Sequence, residues 1–387
     1  EHLRAIAILL VLCHHFTWVQ PFLPTILWDA WSGVDLFFAI SGYVITLSFS
    51  RTFAPARDGA SLAERVALNR SAIRAFFRRR FWRIMPPLAA TFVLAAVFTA
   101  ILGITRWKDL LVEALAAFSM TYNYVVYGGG PFLLDVLWSL ALEMQFYLLL
   151  PFFVLAFPTD RKLLWAAVSV FLIVGVIVRP LHVLAFTSTP QDWLKVRFAT
   201  HCRLDSLAAG VAVFALSRHA RVLRFLRTLT PFTIRGLAFF FLGILLLIPA
   251  GTGVEFSHVA GFSFLALAAA GLVLLSAAGN LTIVPFTAVR DVLDYIGRRS
   301  FSLYLVHRLA AAAFRTAFPT VASRVNVMGG LGLEMRILES AGTLALTWAL
   351  AELMYRYVER PGIEVGRYYG ARALSVMPRP LTTAPAR

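Results

Sequence analysis

Apolar residues in this 387-residue chain gather into long runs, parted by short polar stretches in which arginine predominates. A run of about 17 to 25 apolar residues is what a helix needs to cross about 30 Å of hydrocarbon with its backbone hydrogen bonds satisfied internally. Ten segments fit: 5–22, 33–50, 84–104, 135–157, 163–180, 202–217, 236–252, 258–279, 301–318 and 336–358. They predict an all-α polytopic transmembrane bundle of about ten spanning helices, the sixth of them short. The segment 109–130, "DLLVEALAAFSMTYNYVVYGGG", is amphipathic and ends in three glycines, which predicts an interfacial or re-entrant helix instead of a span.

Composition agrees, since 59% hydrophobic against 14% charged residues exceeds what a soluble core of this size uses. The net charge of +16 does not point to nucleic acid, because the basic residues are confined to segments between apolar runs, where they anchor cytoplasmic loops. Loop 51–83 carries nine arginines, loop 218–235 five without an acid, and the stretch after 355 six, whereas loops 21–32 and 252–257 have none. With ten spans this bias sets both termini in the cytoplasm. Cys13 and Cys202 lie in or beside apolar runs and define no disulfide framework. The chain opens on Glu1 instead of Met, so a short N-terminal piece is expected to be missing, and the first run lacks a signal-peptide cleavage site. Two regions follow: a transmembrane domain over 1–366 and a proline-bearing disordered tail over 367–387.

Ionisable residues inside apolar runs are the candidates for chemistry. In "RAIAILLVLCHH" the eleven steps from Arg4, at about 100° each, bring His15 back to within about 20° of the same stripe, while His14 points elsewhere. Those steps rise about 16 Å, so an Arg4 at the cytoplasmic interface sets His15 near the bilayer midplane. Groups at that depth face a protein interior or a wet cavity. The plain alternative is a hydrogen bond from His15 to a neighbouring helix. In "LDVLWSLALEMQFYLLLP" Glu143 lies about 12 Å below Asp135, close to the level of His15, so a carboxylate and an imidazole are expected to meet mid-membrane. Such a pair suits general base catalysis, and a structural ion pair is the alternative. Asp35 and Ser41 lie in "GVDLFFAISGYVIT", and "SFSLYLVHRLAAA" carries His307 and Arg308. Arg203 and Asp205 in "HCRLDSLAAG" read as a helix-end pair. In "FFRRRFWRIMPP" Arg80 and Arg83 stand three apart on neighbouring parts of one helix face, as a phosphate site or as positive-inside anchors.

Taken together these pieces resemble acyltransferase family 3, integral membrane proteins that mostly O-acylate sugars with acyl-CoA made in the cytoplasm. The similarity covers nearly the whole chain, through "EHLRAIAILLVLCHHF", "GVDLFFAISGYVIT", "RRRFWRIMPP", "LWSLALEMQFYLLLP", "LDSLAAG", "IGRRSFSLYLVH" and "YRYVERP". The family's arginine–histidine motif falls on Arg4 and His15, its arginine pair on Arg80 and Arg83, and its glutamate segment on Ser139, Glu143, Gln145, Phe146 and Tyr147. The chain departs from the family at Glu1-His2, where Asp-Gly is usual, at Met144 in place of a second acid, and at Arg308 in place of an aromatic.

The resemblance implies a stand-alone bacterial inner-membrane O-acyltransferase, with acyl-CoA, most readily acetyl-CoA, as donor and no permanently bound cofactor or metal. His15 and Glu143 would be catalytic, His15 as base or acyl carrier. Arg4, Arg80 and Arg83 would bind the donor, and Asp35, Ser41, Tyr147 and His307 the substrate, with Ser41 a candidate oxyanion donor. The acceptor would be a hydroxyl of a carbohydrate or glycolipid. Relatives with a C-terminal SGNH hydrolase-like domain complete transfer outside the membrane; this chain ends too early for one and would act alone or with a separate periplasmic partner. A flippase of lipid-linked sugars with a His/Glu proton relay is the alternative, although no internal repeat supports it.

Overall fold

The computed structural model describes residues 1–16, 24–129, 132–187, 192–251, 256–279, 286–318 and 332–375. Among the described residues every regular element is helical. In chain order these are α1 (His2–His15), α2 (Gly33–Ser50), α3 (Leu62–Leu68), α4 (Arg70–Leu102), α5 (Trp107–Phe118), α6 (Tyr122–Tyr127), α7 (Leu137–Ala156), α8 (Asp160–Leu172) and α9 (Arg179–Phe186). They continue with α10 (Trp193–Phe198), α11 (Thr200–Leu216), α12 (Ala220–Thr228), α13 (Pro231–Gly251), α14 (Phe262–Ala277), α15 (Thr287–Arg298), α16 (Ser300–Ala317), α17 (Gly332–Met354) and α18 (Arg360–Ser375).

Seven of the ten expected spans recur as helices long and apolar enough to cross a membrane: Ala30–Ser50, Arg70–Leu102, Leu137–Ala156, Asp160–Phe186, Pro231–Gly251, His258–Ala277 and Ile337–Leu374. The chain is thus a multi-pass, all-α membrane protein, with seven such helices, or eight if a bent pair is counted as one, among the described residues; the count of about ten is not confirmed. Helix α1 has 14 residues, about 21 Å of rise, and positions 17–22 of the first expected span lie outside the described residues. Helix α11 ends at Leu216 and turns by 89° into α12, an eighth span only if the bent pair is counted as one. Helix α16 is 18 residues long but carries His307, Arg308 and Arg315, which dilute its hydropathy.

The ends of the elements follow local chemistry. Ser61 and Glu64 form a reciprocal capping box that starts α3 in the arginine-rich loop. Helix α4 then runs from Arg70, so most of that loop is helical, and it stops at Gly103 in the left-handed conformation. The segment expected at the interface is broken in two, α5 and α6, at Met120 with φ 61°. Buried Glu113 of α5 accepts from the Tyr122 hydroxyl at 2.6 Å and from the backbone N–H groups of Leu133 and Leu134 at 2.9 and 2.8 Å, tying α5 and α6 to the chain entering α7. Helix α18 continues to Ser375, past the boundary expected at 366; residues 376–387 lie outside the described residues.

Two close crossings position the site. Helices α2 and α11 run parallel and meet at Gly42 and Gly210, where a Cβ on Gly42 would stand 2.2 Å from the Leu207 carbonyl oxygen. Helix α18 lies along α4. Pro86 has no N–H to bond the Trp82 carbonyl, and Gly362 sits against that oxygen, with Gly366 and Gly370 continuing the contact over Trp82 and Arg79. Helix α1 packs against α2, α15 and α16.

Candidate functional site

Helix α7 repeats Ser139, Glu143 and Tyr147 at intervals of four, which aligns them on one face. That face looks into a cavity of about 90 Å³ whose polar lining also includes Arg4 of α1, Ser41 of α2, Arg80 and Arg83 of α4, and Tyr304 of α16. Phe37, Phe38 and Ile45 supply much of the apolar wall. Such a space holds a handful of waters, and a drug-sized ligand needs at least about 300 Å³, so a nucleotide-bearing thioester enters only if these walls move.

Inside the cavity Glu143 is engaged by the Ser41 hydroxyl, which donates to Oε1, and by Tyr147. The Ser41 proton is thereby committed, which removes Ser41 as a ready oxyanion donor. Arg4 pairs with Glu1 at 3.2 Å. Arg80 lies 5.9 Å from the Phe76 ring centre, and its Nε is buried without a hydrogen-bond partner, as is Nη2 of Arg79. Buried guanidinium N–H groups left without acceptors favour an anionic occupant. Glu359, from the "YRYVERP" stretch, is buried nearby and accepts from Ser302 at 2.5 Å.

His15 does not meet Glu143. Its Nδ1 lies 3.0 Å from the Val11 carbonyl and 3.3 Å from Nε2 of His307. His307 Nδ1 in turn faces the carbonyl oxygens of Tyr304 and Leu303 at 2.8 and 3.2 Å. Carbonyls only accept, so His307 carries its proton on Nδ1 and offers a lone pair at Nε2. The acceptors around His15 Nδ1 then place that ring's proton on Nδ1 as well and leave its Nε2 lone pair free. His307 thus occupies the orienting position that the carboxylate was expected to hold.

Tyr304 links the two groups. It lines the cavity, its hydroxyl lies 2.6 Å from Ser139 Oγ and donates to the Val136 carbonyl at 2.7 Å, and its ring centre stands 5.8 Å from that of His307. It escaped the sequence reading although it stands three residues before His307, on the same side of the helix. Beyond the histidines Arg308 forms a two-point ion pair with Asp135 at 2.9 and 3.1 Å.

Asp35 lies outside this cavity. It is fully buried and accepts from Arg203 at 2.8 Å and Ser206 at 3.0 Å. Arg203 and Asp205 do not pair with each other as expected: Asp205 binds Arg179, also fully buried, and Ser263. Two residues apart, they point to nearly opposite sides of α11, Arg203 toward α2 and Asp205 toward α9, so they bridge different helices.

The structure therefore defines a multi-pass membrane protein with an arginine-rich polar cavity buried between its helices and a histidine pair beyond it. The chain belongs to acyltransferase family 3, whose model, described as an acyltransferase domain, matches residues 1–355. It is 25% identical over 397 aligned positions to O-acetyltransferase OatA of Staphylococcus aureus, covering 98% of this chain. It is 26% identical over 385 positions to peptidoglycan O-acetyltransferase OatA of Listeria monocytogenes, covering 93%. The chain spans 58% and 55% of the length of these relatives. No solved structure matches it significantly.

Proposed function

We propose that the protein is an O-acyltransferase that moves an acyl group, acetyl first among the candidates, from cytoplasmic acyl-CoA to a carbohydrate hydroxyl. The observation that carries this reading is the convergence of Arg4, Arg80 and Arg83 on one cavity whose far wall, Tyr304, abuts the His15–His307 pair. The relatives' activities as their names give them, O-acetyltransferase and peptidoglycan O-acetyltransferase, support acetyl as the group and a glycan as the acceptor.

In this reading the arginines hold the phosphates of the donor at the cytoplasmic end of the bundle, and the pantetheine arm passes the Glu143–Ser41 level toward Tyr304. His15 Nε2 takes the proton of the acceptor hydroxyl as its oxygen attacks the thioester carbonyl. The carbon–sulfur bond breaks, the imidazolium returns the proton to the departing thiolate, and ester and free CoA result. His307 Nε2 accepts from His15 Nδ1–H throughout and stabilises the charged ring. An acyl-imidazole route would use the same Nε2 as nucleophile. In this reading the protein sits in a bacterial inner membrane with both termini cytoplasmic, which the arginine clusters at 51–83, 218–235 and after 355 support for an even number of spans.

The test is transfer of radiolabelled acetyl from acetyl-CoA to membrane glycans by purified protein in liposomes, wild type against His15→Ala. Label that disappears in the variant while CoA still binds supports the reading. Absence of both label and CoA binding in wild type overturns it in favour of a flippase, which has no need of the donor.

A further inference from the structure

Apart from the arginine-lined cavity, α9 and the Thr200 end of α11 present a second cluster of ligating side chains. His182, His201 and Cys202 each offer one donor atom, all within 4.8 Å of one another. His201 Nε2 lies 2.9 Å from His182 Nδ1, and the ring centres are 4.9 Å apart. His182 is only 6% exposed and its Nε2 is buried without a partner. Cys202 is a buried free thiol, whereas His201 opens to the surface. None of the three takes part in the acyl-transfer chemistry proposed above.

The geometry is close to that of a metal site. Tetrahedral zinc with Zn–N bonds of about 2.0–2.1 Å separates two imidazole nitrogens by about 3.3 Å, so the rings need open only a few tenths of an ångström while the sulfur closes in. Electrostatics do not oppose a cation there. The cations that act on Cys202 and His182 each face a carboxylate: Arg179 faces Asp205, Arg203 faces Asp35, and Lys195 faces Asp192. Two imidazoles and a thiolate are a borderline-to-soft donor set, and three protein ligands leave a fourth position for water.

We propose that His182, His201 and Cys202 form a binding site for a divalent transition metal, zinc by preference, with its open position beside His201. Binding releases the Cys202 thiol proton to solvent. The bound ion staples α9 to α11, the helix whose Arg203 and Ser206 hold Asp35 of α2.

The full chain, purified in detergent through a histidine-free tag and stripped with chelator, is titrated with Zn²⁺ and with Co²⁺. One ion per chain is expected, and the cobalt form shows a thiolate-to-metal charge-transfer band that Cys202→Ser abolishes. His201→Ala lowers affinity by about 100-fold, a ligand's share of the zinc-site binding energy. It is a surface change that leaves packing intact, and His201→Cys restores binding. Wild type that takes up no more metal than the His182→Ala/His201→Ala double variant overturns the proposal, as does a cobalt spectrum indifferent to Cys202→Ser.

Discussion

Replacing Gly42 with alanine tests the link between helix packing and the site. The new methyl would stand 2.2 Å from the Leu207 carbonyl oxygen and 3.0 Å from the Gly210 Cα, both backbone atoms that cannot rotate away. Carbon and oxygen settle at about 3.3 Å or more, so α2 and α11 must part by about 1 Å. Overpacking of this kind costs about 1–3 kcal/mol. The displaced helix moves Ser41, the preceding residue, relative to Glu143, and a shift of about 1 Å in a reacting constellation costs about 100-fold in rate. The assays are thermal unfolding in detergent and acetyl transfer in liposomes. Gly243→Ala on α13 is the control, since a methyl there meets nothing within 4 Å. Should Gly42→Ala match that control in both melting and rate, the close crossing does not position the cavity and the reasoning fails.

Other outcomes follow from single contacts. Arg83→Ala should weaken acyl-CoA binding by about 10- to 100-fold, the worth of a charge-assisted hydrogen bond, and Arg83→Lys should recover only part of it because an ammonium lacks the planar fork; calorimetric titration reads both. His307→Ala should lower kcat while leaving the KM for acyl-CoA unchanged, with His307→Gln partly active because its amide oxygen can accept from His15; a loss confined to KM would contradict the orienting role. Tyr304→Phe removes the hydroxyl that bridges Ser139 and Val136 and should cost about 1–3 kcal/mol, visible as a lower melting temperature. Burial, outweighing its hydrogen bonds, raises the Glu113 carboxyl above the ordinary glutamate range. A raised folded value favours folding fully below the unfolded value and loses that advantage as pH rises through the folded one, so wild-type melting should decline over that interval. Glu113→Gln should flatten that decline, and an unchanged slope would refute the assignment.

Helical periodicity was enough to align Arg4 with His15 and to separate His15 from His14, because rotation per residue is a property of the backbone alone. It also marked Glu143 as a carboxylate within an apolar run. Depth along an axis does not specify which way a neighbouring helix is turned, and that is why Glu143 faces Ser41 and Arg80 while His15 faces His307. The same gap explains Asp35 and Arg203: both were visible as charges in apolar runs, but their partnership depends on the parallel α2–α11 crossing at Gly42 and Gly210. Apolar run length identified the seven long spans, whereas α1 as described is shorter and α16 is diluted by charge. The first helix stops at His15, and the second is sheltered by protein: buried His307 bonds backbone carbonyls and Arg308 pairs with Asp135.

Vectorial synthesis gives the Trp82–Gly362 contact a role in the order of assembly. Helix α4 emerges from the ribosome long before α18, and until Gly362 docks, the carbonyl released by Pro86 lacks the neighbour that shields it. At the cytoplasmic end of α4 water can meet that carbonyl in the meantime, and docking of Gly362 replaces the water with packed backbone. The nascent intermediate is therefore hydrated at the turn that bears Arg79, Arg80 and Arg83, and arrival of the glycine stripe dries it. Closing the wall behind the arginine turn is in this sense a late step of assembly, and a chain cut before Arg360 would insert with that face of α4 uncovered.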